Sequence, residues 1–328
     1  MARLLLPFVG LLISQPALAQ APTAEQKQAT LAWVKSLQKE NGGFATDAKS
    51  AANLPATLAA ERVFKYFGGE LPNKEPCAKF VESCFDKESG GFAPAPGGNP
   101  DVRTTALGIM AAVELKALTP PMAAAAVMYF PHKTKNFDDV RLVAAAYEAL
   151  GPERGLLGIP YHAIGLELEC DGYTPKANAN GTYGEGGNLA RDTAGGVVTF
   201  LRLEATKNRL TADKLEEITK LLQAARDNPK KNPLHPETKE TILKTLRTGQ
   251  RPDGGWGKDG EGSDLETTYR VMRAFWMLKA KPDIAACQAF IAKCRNADGS
   301  YSPQPNQAGN VSATYFAAIV SHWLAELK

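Results

Sequence analysis

Apolar and polar positions along this chain fall into two kinds of helical stretch that take turns. In "ATLAWVKSLQKE" (29–40), "CAKFVESCFDKE" (77–88) and "CQAFIAKCRN" (287–296), apolar residues recur three or four apart. That spacing predicts amphipathic helices with one dry face. In "TTALGIMAAVEL" (104–115), "RLVAAAYEAL" (141–150) and "TAGGVVTFLRL" (193–203), most faces are apolar. Such helices are buried nearly all round. A Gly-Gly-aromatic or Gly-polar-aromatic tripeptide separates the first kind from the second, followed by a Gly/Pro-rich polar loop. The tripeptide predicts a tight turn in which glycine, Gly255 among them, supplies a positive φ. Asn53, Asp101, Asp139, Asp192, Asp264 and Asn310 stand where the second helices open. Their side-chain oxygens suit the free N–H groups of a first turn, so they read as caps.

This grammar repeats. Units begin at Asn41, Ser89, Asn180, Asp253 and Asp298, and a sixth from Asn136 keeps the helix but has lost the glycine turn. A supersecondary unit repeated at such a period predicts a repeat architecture. Each unit supplies one outer amphipathic and one inner apolar helix. About six of each close into a double ring, so the predicted fold is all-α, an α/α toroid. Phe44, Phe92, Tyr183, Trp256 and Tyr301 recur at the turns and read as packing plugs. The step from Asp192 to Asp264 is longer than the others, which predicts an outer helix plus a helical insertion around 205–250. One domain spans 23–328.

Composition changes this picture little. With 44% hydrophobic and 22% charged residues, a net charge of +3 and no block of like charge, nucleic acid is not an expected partner. The N-terminus, "MARLLLPFVGLLISQPALAQAP", has one positive residue, a short apolar run and Ala17-Leu18-Ala19. It predicts residues 1–19 as a secretory signal cut after Ala19, because the run is too short for a membrane anchor. The mature protein is then exported, to a periplasm or beyond, with no membrane span. Cys77/Cys84 and Cys287/Cys294 are seven apart on predicted helices. Their Cα atoms, about 10.5 Å apart at helical rise, are too far for a disulfide within either pair. A bridge between the pairs stays open.

Several stretches carry a family likeness. "SLQKENGGF" and "TLRTGQRPDGGW" resemble glutamine–tryptophan motifs, and "NLPATLAA", "PDVRTTALG" and "SGGF" after "FVESCFDKE" resemble inner-helix starts and repeat turns. Together they resemble the prenyltransferase and squalene-oxidase repeat family, and within it the β subunits of type II protein geranylgeranyltransferases. The resemblance implies a reaction site at the N-terminal ends of the inner helices. It also implies a geranylgeranyl-type isoprenoid, or another apolar ligand, in the central funnel. Helix N-termini suit an anionic diphosphate. The family's zinc ligands, Asp-x-Cys and a distant His, fall here on Asp264, Glu266 and Ala313. Zinc is the family's cofactor, but this ligand set is incomplete and no metal site is assigned. Arg103 and Lys258 match basic positions for the diphosphate, whereas Glu261 and Thr193 replace a Lys and a His. The cyclase branch's acid motif has only "SDLETT" as its counterpart.

The candidate site is therefore Asp264 and Glu266 as catalytic carboxylates, with Arg103, Lys258, Arg141 and Tyr269 as substrate-binding residues. Bland readings stand beside these. Asp264 also reads as a helix cap and Glu266 as a first-turn charge. Arg103 and Arg141 read equally as salt-bridge residues between repeats. The sequence leaves three functions: a prenyltransferase-like enzyme, an exported non-catalytic scaffold for a lipid, peptide or partner protein, and a terpene-cyclase-like or polysaccharide-active enzyme.

Overall fold

The computed structural model describes residues 21–151, 177–207 and 234–327. Eleven α-helices lie among them, and no strand. Six are inner: α2 (Leu54–Phe67), α4 (Val102–Glu114), α6 (Phe137–Leu150), α7 (Leu189–Lys207), α9 (Leu265–Met277) and α11 (Val311–Glu326). Each packs on the next, and α11 packs back on α2, which closes the inner ring. Five are outer: α1 (Ala24–Ser36), α3 (Lys74–Ser83), α5 (Pro120–Tyr129), α8 (Pro236–Thr248) and α10 (Ile284–Lys293). They lean on α2, on α2 and α4, on α4, on α7 and on α11 respectively. The predicted α/α toroid is the observed fold. The helical insertion predicted around 205–250 lies partly outside the described residues; α8 is an outer helix.

One device recurs at every glycine turn. The backbone N–H of the turn aromatic donates to a threonine hydroxyl in the first turn of the following inner helix. Phe44 reaches Thr57, Phe92 Thr105, Tyr183 Thr193, Trp256 Thr268 and Tyr301 Thr314, all at 3.0–3.1 Å. A buried N–H needs such a partner. The aromatic ring itself is a plug: Phe44 and Phe92 are fully buried, Trp256 and Tyr301 nearly so, and Tyr183 half-buried. The Trp256 indole N–H donates 2.9 Å to the Leu246 carbonyl of α8, tying turn to outer helix.

Caps follow the sequence at Asn53, Asp101, Asp264 and Asn310, whose side chains accept from the third helical N–H. Two differ. Asn136, not Asp139, caps α6: its Oδ1 accepts the Asp139 N–H at 3.0 Å. Asp192 lies inside the first turn of α7, because a 3₁₀ turn at Gly186–Asn188 starts the helix early. The glycine reading also shifts by one residue. Gly254 carries the positive φ of 94°, whereas Gly255 is needed for space, since a Cβ there would lie 2.8 Å from Ser263 Cβ and 2.9 Å from the Phe290 ring.

The ends are stitched together. Val311 N–H of α11 donates 3.0 Å to the Thr46 carbonyl in the first repeat's loop. Thr30 Oγ1 of α1 donates 2.7 Å to the Gly299 carbonyl in the last turn. Cys77, Cys84, Cys287 and Cys294 are buried free thiols, so the bridge between pairs left open by the sequence is not formed. Cys170 and the predicted leader, residues 1–19, lie outside the described residues. No described helix is long and apolar enough to cross a membrane.

Candidate functional site

The inner helices carry much of their charge on the faces that meet in the bore. There the charged and aromatic residues recur three or four apart, which puts them on one helix face. Arg62 and Tyr66 come from α2, Arg103, Leu107, Met110 and Glu114 from α4, and Arg141, Ala145 and Glu148 from α6. Arg202 comes from α7, Glu266, Tyr269, Arg270 and Arg273 from α9, and Tyr315 and Phe316 from α11. Together they line a cavity of about 290 Å³. Six guanidiniums face three carboxylates there.

Each lining carboxylate is held by arginine. Glu114 Oε1 accepts from Arg62 Nε at 2.9 Å and Nη2 at 2.8 Å. Glu148 bridges two helices, accepting from Arg202 Nε and Arg273 Nη2, both at 3.0 Å. Glu266 pairs with Arg270 one turn along α9. Burial pulls the Glu266 carboxyl upward, but Arg270, Arg141 and Lys258 together hold it below the ordinary carboxylate range. The arginine excess shows in Arg141: burial and then the neighbouring Arg270 push it down to about 10, against the pull of Asp138. Asp138 serves both, at 3.2 Å from Arg141 and 3.6 Å from Arg270. Behind the bore, Glu61 is buried with Oε2 unpartnered. Burial, then the charge of Glu114, pushes its carboxyl up to about 9, so it is protonated at neutral pH.

An aromatic wall completes the site. The Tyr269 ring stacks on Phe316 (centroids 4.9 Å) and on Trp323 (5.6 Å). Arg273 lies over the Trp276 and Trp323 rings and Arg62 over Tyr315, at 5.3–5.5 Å. Such stacking holds a guanidinium in place without neutralising it.

Of the residues singled out from the sequence, the cavity gathers Arg103, Arg141, Glu266 and Tyr269. Lys258 lies outside the lining, 3.9 Å from Glu261. Asp264 is buried outside it as well. Its Oδ1 accepts the Thr267 N–H at 2.7 Å and its Oδ2 the Thr267 hydroxyl at 2.8 Å. The cavity also runs deeper than the N-terminal helix ends, down to Glu114, Glu148 and Arg273. Arg62, Arg202, Arg270, Arg273, Glu114 and Glu148 were not singled out. The available signal was a charge recurring in helices that are otherwise largely apolar.

The family's zinc does not fit these residues. Both Asp264 oxygens are engaged by Thr267, Glu266 is paired with Arg270, and Ala313 has no donor atom. Among the described residues no three His, Cys, Asp or Glu side chains are grouped as a metal site. These residues do not supply the three protein ligands that a zinc-activated thiolate needs.

Comparison with known proteins agrees on the architecture. No curated protein matches the chain. A glycosidase variant solved in complex with glucose is similar in structure, with a TM-score of 0.55 and 12% identity, covering 93% of this chain and 96% of that one. Identity so low speaks for the fold alone. The model of the prenyltransferase alpha-alpha toroid domain matches residues 11–140 and 217–327. The repeated turns, the closed double ring and a match over most of its length place the chain in one family: it belongs to the prenyltransferase alpha-alpha toroid domain proteins.

Proposed function

We propose that the funnel receives an anionic ligand, its charged group on the arginines and its body against the aromatic wall. The observation that carries this is the convergence of six arginines from five of the six inner helices on one cavity, against three carboxylates. Guanidinium forks match planar carboxylates and phosphates. A volume of 290 Å³ sits at the small end for ligand pockets, which run from about 300 to 1,000 Å³. It favours a compact anion over a full geranylgeranyl diphosphate. Among the described residues the family's zinc positions do not form a zinc set, which favours a use of the toroid other than protein prenylation.

Calorimetric titration of the purified protein with pyrophosphate, geranylgeranyl diphosphate and galacturonate tests this. At least one of these should bind, weaken as salt rises, and lose about tenfold or more in Arg141→Gln, the order set by a hydrogen bond to a charged group. A geranylgeranyl diphosphate signal well above that of pyrophosphate would restore the isoprenoid reading. No binding by any of the three, or binding indifferent to Arg141→Gln, would overturn the proposal.

A further inference from the structure

Tyr269 lies in the funnel under the charge of three arginines and at the end of one hydrogen-bond chain. Arg62 Nη1 of α2 donates to the Tyr315 hydroxyl of α11 at 3.3 Å, and that hydroxyl donates to the Tyr269 oxygen at 3.4 Å. Arg273 on the same helix and Arg202 of α7 are held beside it by Glu148 of α6. The ring is fixed between Phe316 and Trp323. Burial alone would raise its hydroxyl, yet Arg273, Arg202 and Arg62 together pull it below the ordinary tyrosine range. Tyr315 goes the other way: burial, then the neighbouring Tyr269, keeps its proton on. The pair is polarised, with Tyr315 as donor and Tyr269 as the oxygen able to lose a proton.

The carboxylates are poorly placed for the same task. Glycoside hydrolysis needs one protonated acid and one free carboxylate, whereas Glu114, Glu148 and Glu266 each sit in an arginine pair. Glu61 is protonated but is not part of the lining.

We propose that Tyr269 is a general base that removes a carbon-bound proton next to a carboxylate held by the funnel arginines, in a β-elimination. This rests on the anion-binding reading and adds the substrate class: a carboxylate with a proton on the adjacent carbon and an alkoxy group on the next, as in a uronate chain. The arginines lower the cost of the charge that grows on the carboxylate as the C–H bond breaks. The phenolate takes that proton, the C–H electron pair becomes a C=C bond conjugated with the carboxylate, and the C–O bond to the leaving group breaks. Tyr269 then returns the proton to the departing oxygen. No oxidant, metal or cofactor enters the balance.

Three measurements on the full chain test it. Tyrosinate difference absorbance against pH should show one tyrosine ionising before the others, lost in Tyr269→Phe and moved upward in Tyr315→Phe. Identical curves in wild type and Tyr269→Phe overturn the proposal. Incubation with oligogalacturonate or oligomannuronate should produce the ultraviolet absorbance of the conjugated alkene, falling about a hundredfold or more in Tyr269→Phe, the usual worth of a general base. No alkene from either polymer also overturns it. Galacturonate binding separates the two levels. If it binds the wild type and Tyr269→Phe alike while no alkene forms, only the elimination fails. If it does not bind the wild type, the carboxylate anchor itself fails.

Discussion

Thr57→Val would isolate the recurring hydroxyl from everything else in a turn. Thr57 is fully buried, and so is Phe44. Its Oγ1 accepts the Phe44 N–H at 3.0 Å and donates to the Asn53 carbonyl at 2.8 Å. Valine has nearly the same shape and is equally β-branched, so packing and helix preference barely change. The Asn53 carbonyl keeps the Thr57 N–H at 2.9 Å, but the Phe44 N–H loses its partner inside the core. Leaving a buried donor unsatisfied costs ~1–3 kcal/mol. At about 2–4 °C per kcal/mol for a large domain, the melting midpoint falls by roughly 2–12 °C. Thr57→Ser keeps the oxygen and loses one buried methyl, ~0.8 kcal/mol. The two are told apart by native-state hydrogen exchange: the Phe44 amide should lose protection in the valine variant and keep it in the serine variant. Equal protection of that amide in Thr57→Val and wild type would refute the role given to the hydroxyl.

Further outcomes follow from other sites. Glu61 is raised to about 9 in the folded chain from an ordinary 4.5, so between those values the native state holds the extra proton and stability falls as pH rises. Glu61→Gln should match wild type near pH 4 and exceed it by up to ~3 kcal/mol at pH 7, read by denaturant titration at each pH. Gly254→Ala should cost well over the ~1–2 kcal/mol of a positive φ alone, because its Cβ would overlap the Ala286 carbonyl. Gly260→Ala, at φ 71° with nothing within 4 Å, should cost only the φ penalty. Protein purified without chelator should carry far less than one zinc per chain by elemental analysis, and Glu266→Cys with Ala313→His together should raise it. N-terminal sequencing from the native host should find a mature chain beginning near Gln20.

The ring was legible because its instructions are local. A glycine turn, a cap and a helical period each sit within one repeat, and six copies of a weak signal add up. The threonine hydroxyl was equally periodic, as in "LPATLAA", "VRTTALG" and "SATYF". It went unread because its partner N–H lies 13 residues upstream for Thr57, Thr105 and Thr314 and belongs to a backbone, which leaves no residue-type trace. Asp139 and Asp192 misled for a related reason: each is a good cap near a helix start, but Asn136 and a 3₁₀ turn begin those helices earlier. The site was read only in part. Glu148 meets Arg273 across 125 residues of chain, and no spacing rule predicts a distance set by closure of the ring. The family motif drew attention to Asp264 and Lys258, which the cavity leaves out.

Stitching Val311 to Thr46 and Thr30 to Gly299 fixes how this architecture can change in length. An open solenoid grows or shrinks by one unit at its end, with capping repeats keeping the rest soluble. Here every repeat has two neighbours and none is terminal. Deleting one repeat therefore leaves two mismatched edges rather than a shorter rod, and adding one demands a wider bore around the same arginines. The same closure makes the position of the chain ends arbitrary. A permuted chain with its break in the loop at Gly97, where a Cβ would meet nothing within 4 Å, presents the same ring of contacts in a different order.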